Sequence, residues 1–278
     1  MRTLSREPDP GHPLAAQVEF ARLQFADRDE LTDSLRGAHT LYNTYWVRFP
    51  RGATTWESVV ANTRTLLAAA REAGVRRVVQ VSVTNASRDA PLPYYRHKAI
   101  IEHAVRDSGL AYAIVRPTLV FAEGDILLNN IAWTLRHFPL FLIPGRGDYR
   151  VQPVAAEDVA DACLAAARDA DDKPVERDAA GPRAYGYEQL VRMIRAATGA
   201  RSRIVHAPPR VTVAAGAIVG LIKRDALVTE RELAGLMQEA LVSHEPPCGT
   251  RSFEAWLAEH ADSLGRDYAS EYARNWRL

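Results

Sequence analysis

Apolar residues in this chain fall into short continuous runs separated by stretches of helical period. Arg77 to Val83 (RVVQVSV) and Ala111 to Arg116 (AYAIVR) have the length and β-branched content of strands buried on both faces. His39 to Trp46, rich in aromatic and β-branched residues, is a third strand, and Arg2 to Ser5 and Leu23 to Ala26 are shorter ones. Between the runs, Trp56, Val59, Val60, Thr63, Leu67 and Ala70 recur at helical spacing, with Thr54 or Thr55 as cap and Gly74 as stop. A helix from Asp29 to Leu35 stops at Gly37, and one carrying Tyr94, Lys98, Ile101 and Val105 ends at Ser108-Gly109. Strands alternating with helices of this length predict an α/β fold, a parallel sheet with helices on both faces.

The rhythm changes after Pro117. A helix over Ile126 to His137 leads to a turn at Pro144-Gly145. Glu157 and Asp158 then open a helix over Val159 to Ala167. Val175 to Ala179 returns to the sheet as a strand, and Tyr187 to Thr198 is a helix stopped by Gly199. From Arg203 onwards the pattern predicts only short helices broken by Pro-Pro, then a tail studded with Phe253, Trp256, Tyr268, Tyr272 and Trp276. Residues 1–121 and 153–180 are therefore expected to form the sheet domain, and 122–152 and 181–278 a small, mostly helical lobe. Val211 to Ile222 is the longest apolar stretch. It is read as a buried helix of that lobe, with docking on a membrane surface through Lys223-Arg224 as the alternative.

Composition narrows the function classes. The 278 residues, 47% hydrophobic and 25% charged, are enough to bury a full core. A net charge of +1 with mixed signs and no basic stripe argues against a nucleic-acid partner. Cys163 and Cys248 are too few for a disulfide framework, and the histidines show no metal-ligand spacing, so no metal is expected. No apolar run reaches the ~18 residues of a membrane span, so no stable membrane insertion is expected. The amino terminus lacks a secretory apolar region, which leaves the cytoplasm as the expected location.

Candidate chemistry begins with a lysine. Only three of the 35 basic residues are lysines, and one of them, Lys98, follows Tyr94 by four. Where the chain otherwise writes arginine, a lysine points to a need for a compact ammonium group. Pro93 suits the first turn of a helix, and spacing of four then puts the Tyr94 phenol and the Lys98 ammonium on one face. A neighbouring cation lowers a phenol's pKa, which suits a tyrosine exchanging protons with a substrate oxygen. The plain alternative is a surface helix with two aromatics and a chance lysine.

RVVQVSVTN, PYYRHK, GLAYAIVRPTLVF and VQPVAAEDVA, in that order, resemble the extended and atypical short-chain dehydrogenase/reductases. The nearest branches are epimerase/dehydratase-like, nitrogen-metabolite-repressor-like and complex I accessory-subunit-like, and the resemblance covers roughly residues 1 to 200. It implies a Rossmann-like sheet, an NADP or NAD cofactor and a small-molecule substrate. Tyr94 would be the general acid/base. Lys98 would bind the nicotinamide ribose, and a strand-end hydroxyl would orient the substrate oxygen. Position along VQVSVT favours Thr84 for that hydroxyl over Ser82; either residue could instead simply bond the local backbone. The same resemblance makes Arg6 the group that meets an adenosine 2′-phosphate, favouring NADP, unless it is a solvated turn arginine. Asp27 is an adenine-contacting acid or a helix cap. Asn43, Thr44 and Tyr45 fall at the carboxyl end of a strand, where such sheets bind ligands, while Tyr42 and Trp46 are read as core. Pro117, Thr118 and Leu119 are expected near the nicotinamide. Asn129, Asn130, Trp133 and Arg146 are either pocket lining or surface. Relatives often pair through a four-helix interface, so a homodimer using the Trp56 and Tyr94 helices is one arrangement.

Two departures qualify this. Only nine residues separate Thr84 from Tyr94, shorter than in the epimerases and closer to branches that bind cofactor without known catalysis. More importantly, the chain has no opening strand, G-x-x-G-x-x-G turn and helix to hold a pyrophosphate. That strand would be central, so its loss uncovers ladder groups inside the sheet and should exceed a stability margin of about 5–15 kcal/mol. The expectation is that Met1 is an internal start, the intact protein carrying roughly 25–30 more residues, about one β-turn-α unit. Three functions follow: an NAD(P)-dependent oxidoreductase or epimerase-like enzyme, a non-catalytic NAD(P)H-binding sensor or accessory subunit, or a remnant with impaired cofactor binding.

Overall fold

The computed structural model describes residues 1–7, 11, 14–168 and 173–275. The turn expected over Arg6 to Gly11 lies partly outside the described residues, and Trp276 lies wholly outside them. The chain divides into two compact units, one of Met1–Ser82, Ala86–Val115 and Cys163–Glu176, the other of Val83–Asn85, Arg116–Ala162 and Arg177–Leu278. Residues 116–121 and 153–162, expected with the sheet domain, fall in the second unit. Their side chains Leu119, Phe121 and Ala155 belong to its core.

The first unit holds β1 (Arg2–Ser5), β2 (Glu19–Arg22), α1 (Arg28–Leu35), β3 (Thr40–Asn43), α2 (Trp56–Glu72), β4 (Arg77–Val81), α3 (Pro93–Arg106) and most of β5 (Ala111–Pro117). Its core joins Leu31, Val59, Leu67, Val78, Ile101 and Ile114. Local chemistry sets the helix ends. Thr55 accepts from the Ser58 amide at 3.1 Å while Ser58 Oγ accepts from the Thr55 amide at 2.9 Å, a reciprocal cap on α2. Gly37 and Gly74, after α1 and α2, take the left-handed conformation (φ 76° and 83°) that L side chains avoid.

Continuing along the chain come β6 (Leu119–Phe121), α4 (Ile126–His137), β7 (Leu140–Pro144), β8 (Arg150–Val151), β9 (Pro153–Ala155) and α5 (Ala156–Ala167). Then follow β10 (Val175–Ala179), β11 (Tyr185–Gly186), α6 (Tyr187–Thr198), β12 (Arg203–Ala207), α7 (Pro209–Lys223), α8 (Glu230–Met237), α9 (Phe253–His260) and α10 (Glu271–Asn275). α5 and β10 run from one unit into the other. The second unit has its own core, including Phe121, Leu128, Ile131, Leu190, Ile194 and Phe253.

The parallel sheet is divided. β10, β5, β4 and β3 form one sheet in that order, with β3–β4 and β4–β5 parallel. Among the described residues β1 pairs with β2 alone, also in parallel, from Arg2 opposite Glu19 to Ser5 opposite Arg22. Among the described residues no ladder joins β1 to β3. The Arg2 guanidinium donates to the carbonyls of Ser34 (2.7 Å) and Arg36 (3.2 Å) at the end of α1 and meets Glu19 at 3.0 Å.

Several expectations shift. The second strand is Glu19–Arg22, not Leu23 to Ala26: the Leu23 amide donates to Ser5 O, ending the ladder, and Leu23 and Phe25 pack on the core instead. β3 stops at Asn43, whose side chain accepts from the Tyr45 amide (3.1 Å) and donates to Gln80 Oε1 (2.7 Å), turning the backbone out of the sheet. Tyr42, read as core, is 43% exposed. Beyond Arg203 the chain forms a strand paired in parallel with β7 and a 15-residue helix. Pro208-Pro209 starts that helix instead of breaking it, because a first-turn proline loses no helical hydrogen bond. Among the described residues no helix is long and apolar enough to cross a membrane, and no cluster of three or more potential metal ligands occurs.

Candidate active site and cofactor-binding residues

In the first unit, Tyr94 and Lys98 lie one turn apart on α3 and meet on a third residue, Trp46. The Lys98 ammonium sits 4.5 Å from the Trp46 ring centroid and donates to Val81 O, at the end of β4, at 3.3 Å. The half-buried Tyr94 ring packs edge-on to Trp46 at 5.4 Å and to Tyr95 at 5.3 Å. Lys98 is only 4% exposed. Burial pulls its ammonium down to about 7, against a smaller opposing pull from the Glu102 carboxylate. The indole face offers partial electrostatic compensation to a cation removed from water.

Among the described residues of this unit, the buried polar atoms without a hydrogen-bond partner include Ser82 Oγ and Trp46 Nε1. The Ser82 amide is used, donating to Val115 O at 2.8 Å, but its hydroxyl is not. A buried hydroxyl left unpaired costs roughly 1–3 kcal/mol, and such groups call for an explanation, a missing ligand among them. Asn43 and Tyr45 are engaged elsewhere, Asn43 with Gln80 and the Tyr45 hydroxyl with Asn62 Nδ2 at 2.9 Å. Thr44 is exposed, as is Arg6 on the bend after β1. Asp27 caps α1, accepting from the Glu30 amide at 3.0 Å. It also lines a shallow depression of about 560 Å³ with Asp29, Glu30 and Asp33, a surface too acidic to favour phosphate.

The second unit carries the other expected hydroxyl. Thr84 is fully buried, and its Oγ1 donates to Asp178 Oδ2 at 2.6 Å; Ser243 Oγ donates to the same oxygen at 2.5 Å. The Asp178 amide in turn donates to Glu245 Oε2 at 2.8 Å. Pro117 closes β5 and accepts from the Thr84 amide at 3.0 Å. Thr118 is buried with Oγ1 unpartnered, and Leu119 lies in the core. Asn129 and Asn130 hold the later segment around Gly265 to Ala269, by bonds to Asp267 O, Gly265 N, Ala269 O and Ala269 N. Trp133 is buried, and Arg146 makes an exposed ion pair with Asp148.

Trp46, Asp178 and Ser243 were missed at the sequence level. An acid inside a strand-like run (VERDA) was a usable signal for Asp178. Trp46 had none, because a tryptophan at a strand end reads equally well as core.

The family model described as NAD(P)H-binding matches residues 1–170. The chain belongs to that family. It is 29% identical over 180 residues to NADH dehydrogenase [ubiquinone] 1 alpha subcomplex subunit 9, mitochondrial, of Mus musculus, the match covering 64% of this chain and 48% of the relative. The Arabidopsis thaliana protein of the same name is 33% identical over 103 residues, 37% of this chain and 26% of that one. The chain thus spans about half or less of the length of these curated relatives.

Among solved structures, the NADPH complex of an NADPH-dependent quinone oxidoreductase from Escherichia coli superposes with a TM-score of 0.71 at 22% identity, covering 94% of this chain and 88% of that one. The Citrobacter sp. triphenylmethane reductase complexed with NADP(H) gives 0.72 at 15% identity, covering 94% and 90%. These likenesses show a Rossmann-like α/β fold.

The residues of this NAD(P)H-binding chain suit one end of a dinucleotide. A buried ammonium and an unpartnered hydroxyl at Ser82 are groups that ribose hydroxyls can satisfy. For the pyrophosphate, the described residues before β3 offer no glycine-rich turn opening a helix: Gly37 closes α1 instead.

Proposed function

We propose that the protein is an NAD(P)H-dependent oxidoreductase acting on a carbonyl or hydroxyl group of a small molecule. The observation that carries this reading is the convergence of Tyr94 and Lys98 on the Trp46 ring, with the ammonium buried. The nicotinamide supplies or accepts the hydride at the substrate carbon. In the reducing direction the carbonyl carbon gains that hydride, and its oxygen takes the proton of the Tyr94 phenol. Lys98 holds the ribose hydroxyls and, when protonated, favours the phenolate left behind. The Ser82 hydroxyl is the group free to donate to the substrate oxygen. Thr84, the other candidate, would first have to release Asp178. Arg6 favours NADP over NAD, and Arg6→Ala should weaken NADPH binding while sparing NADH. The cytoplasm is the proposed location.

The intact protein is proposed to place a further parallel strand between β1 and β3, with a glycine-rich turn for the pyrophosphate. The divided sheet supports this, since a parallel sheet normally buries both faces and pairs its interior ladder. Genomic sequence upstream of codon 1 decides the matter: an in-frame strand, glycine turn and helix is expected, and a stop codon would end the proposal.

Tyr94→Phe in the intact protein tests the chemistry. Turnover should fall by at least about 100-fold, the usual worth of a positioned acid, with NADPH affinity by fluorescence titration within about twofold. A second reading, a non-catalytic NAD(P)H-binding accessory subunit or sensor, is favoured by the commitment of Thr84 to Asp178 and by the nine residues between Thr84 and Tyr94. Unchanged cofactor binding with no turnover of aldehydes, ketones or quinones by the unsubstituted protein would select it.

A further inference from the structure

α7 buries one face of its backbone and leaves the opposite, apolar face exposed. One face is built from Gly216 and Gly220. A Cβ at Gly216 would meet Val228 Cγ1 at 2.6 Å, and one at Gly220 would meet Asp225 O at the same distance. These glycines therefore let the helix backbone lie close against the Asp225–Val228 segment. The other face carries Val211 (49% exposed), Ile218 (62%), Leu221 (81%) and Ile222 (71%), with exposed Ala214 and Ala217 between them. Spacings of three and four make this a single stripe. A helix apolar all round is ordinarily buried. A continuous exposed apolar stripe signals a surface that something covers.

The charge around the stripe says what. From Arg201 to Arg224 the chain contains no aspartate or glutamate, and the stripe is bracketed by exposed Arg210 before it and Lys223 and Arg224 after it. Lys223 Nζ lies 4.7 Å from the Trp133 ring and 5.5 Å from the Tyr268 ring, which anchors the carboxyl end of the helix to its own unit. A second copy fits poorly, because a two-fold contact through this stripe would set like charges against one another. Fifteen residues at about 1.5 Å each are too short to cross a ~30 Å hydrocarbon layer. An apolar stripe with basic ends suits the boundary of an anionic bilayer.

We propose that α7 docks this protein on anionic membrane surfaces, its Val211–Ile218–Leu221–Ile222 stripe entering the acyl boundary and its flanking arginines meeting phosphate headgroups. The inference is independent of the chemistry assigned to Tyr94. It is tested by co-sedimenting the full chain with vesicles of phosphatidylcholine alone and of phosphatidylcholine with phosphatidylglycerol. Binding to the anionic vesicles should exceed that to neutral ones by at least about tenfold and decline with added salt. Leu221→Asp with Ile222→Asp, two outward positions, should abolish binding without changing the circular dichroism spectrum. Arg210→Glu should weaken only the anionic component. Absence of binding to either vesicle, equal binding to both, or binding undisturbed by the double substitution overturns the proposal. So does a concentration-dependent dimer in sedimentation velocity that the double substitution dissolves, which would assign the stripe to a second copy.

Discussion

Ser82 and Thr84 stand two residues apart beyond the end of β4, and both are buried, yet their hydroxyls have opposite fates. Thr84 donates to Asp178, which also receives Ser243, and the cluster is closed by backbone and side-chain bonds. Ser82 Oγ donates to nothing, in the same unit as a lysine buried beneath an indole. A satisfied polar cluster holds a fold together. An unsatisfied one is maintained at a cost in stability and calls for an explanation, such as a bound ligand.

The comparison can be broken by substitution. Asp178→Ala should have the largest effect, about 3 kcal/mol in urea unfolding, because two hydroxyls lose a charged acceptor in a buried place. A loss no larger than that of a surface substitution would dissolve the contrast.

Lys98→Met should come next and run the other way. Burial depresses the folded-state pKa of Lys98 to about 7 from an ordinary value of 10.5, so the unfolded chain binds more protons between those values. The native protein should therefore gain stability as pH rises through that window. Lys98→Met should be the more stable form at pH 6, by about 2 kcal/mol after allowance for the indole contact, and its advantage should vanish near pH 11. Urea midpoints across pH 6 to 11 read this directly, and a flat difference would show that Lys98 is not desolvated.

The smallest effects are the sharpest. Thr84→Val should cost about 1 kcal/mol, whereas Ser82→Ala should cost nothing or stabilise slightly, since only one of the two hydroxyls has a bond to lose. Equal losses at the two positions would mean that Ser82 finds a partner in solution.

Much of the architecture was readable from pattern alone. Continuous β-branched runs located β4 and β5, helical spacing located α2 and α3, and Thr55, Gly74 and Gly199 marked ends because caps and left-handed turns act over a few residues. The four-residue step from Tyr94 to Lys98 was legible for the same reason. Errors arose wherever a partner far along the chain decided the outcome. Register with β1 moved the second strand to Glu19–Arg22, and pairing with β7 made a strand of Arg203–Ala207. α7 turned its apolar stripe outward because two glycines let its other face pack closely.

By itself, the sequence determined the alternation of elements, the missing glycine-rich turn and the one-face placement of phenol and ammonium, since each depends on neighbours within a turn or a strand. Tertiary structure alone decided that Trp46 would receive both side chains, that Asp178 would claim Thr84 and that Ser82 would be left unpaired. Those outcomes depend on burial and on residues up to 159 positions apart, as between Thr84 and Ser243. No local period encodes them.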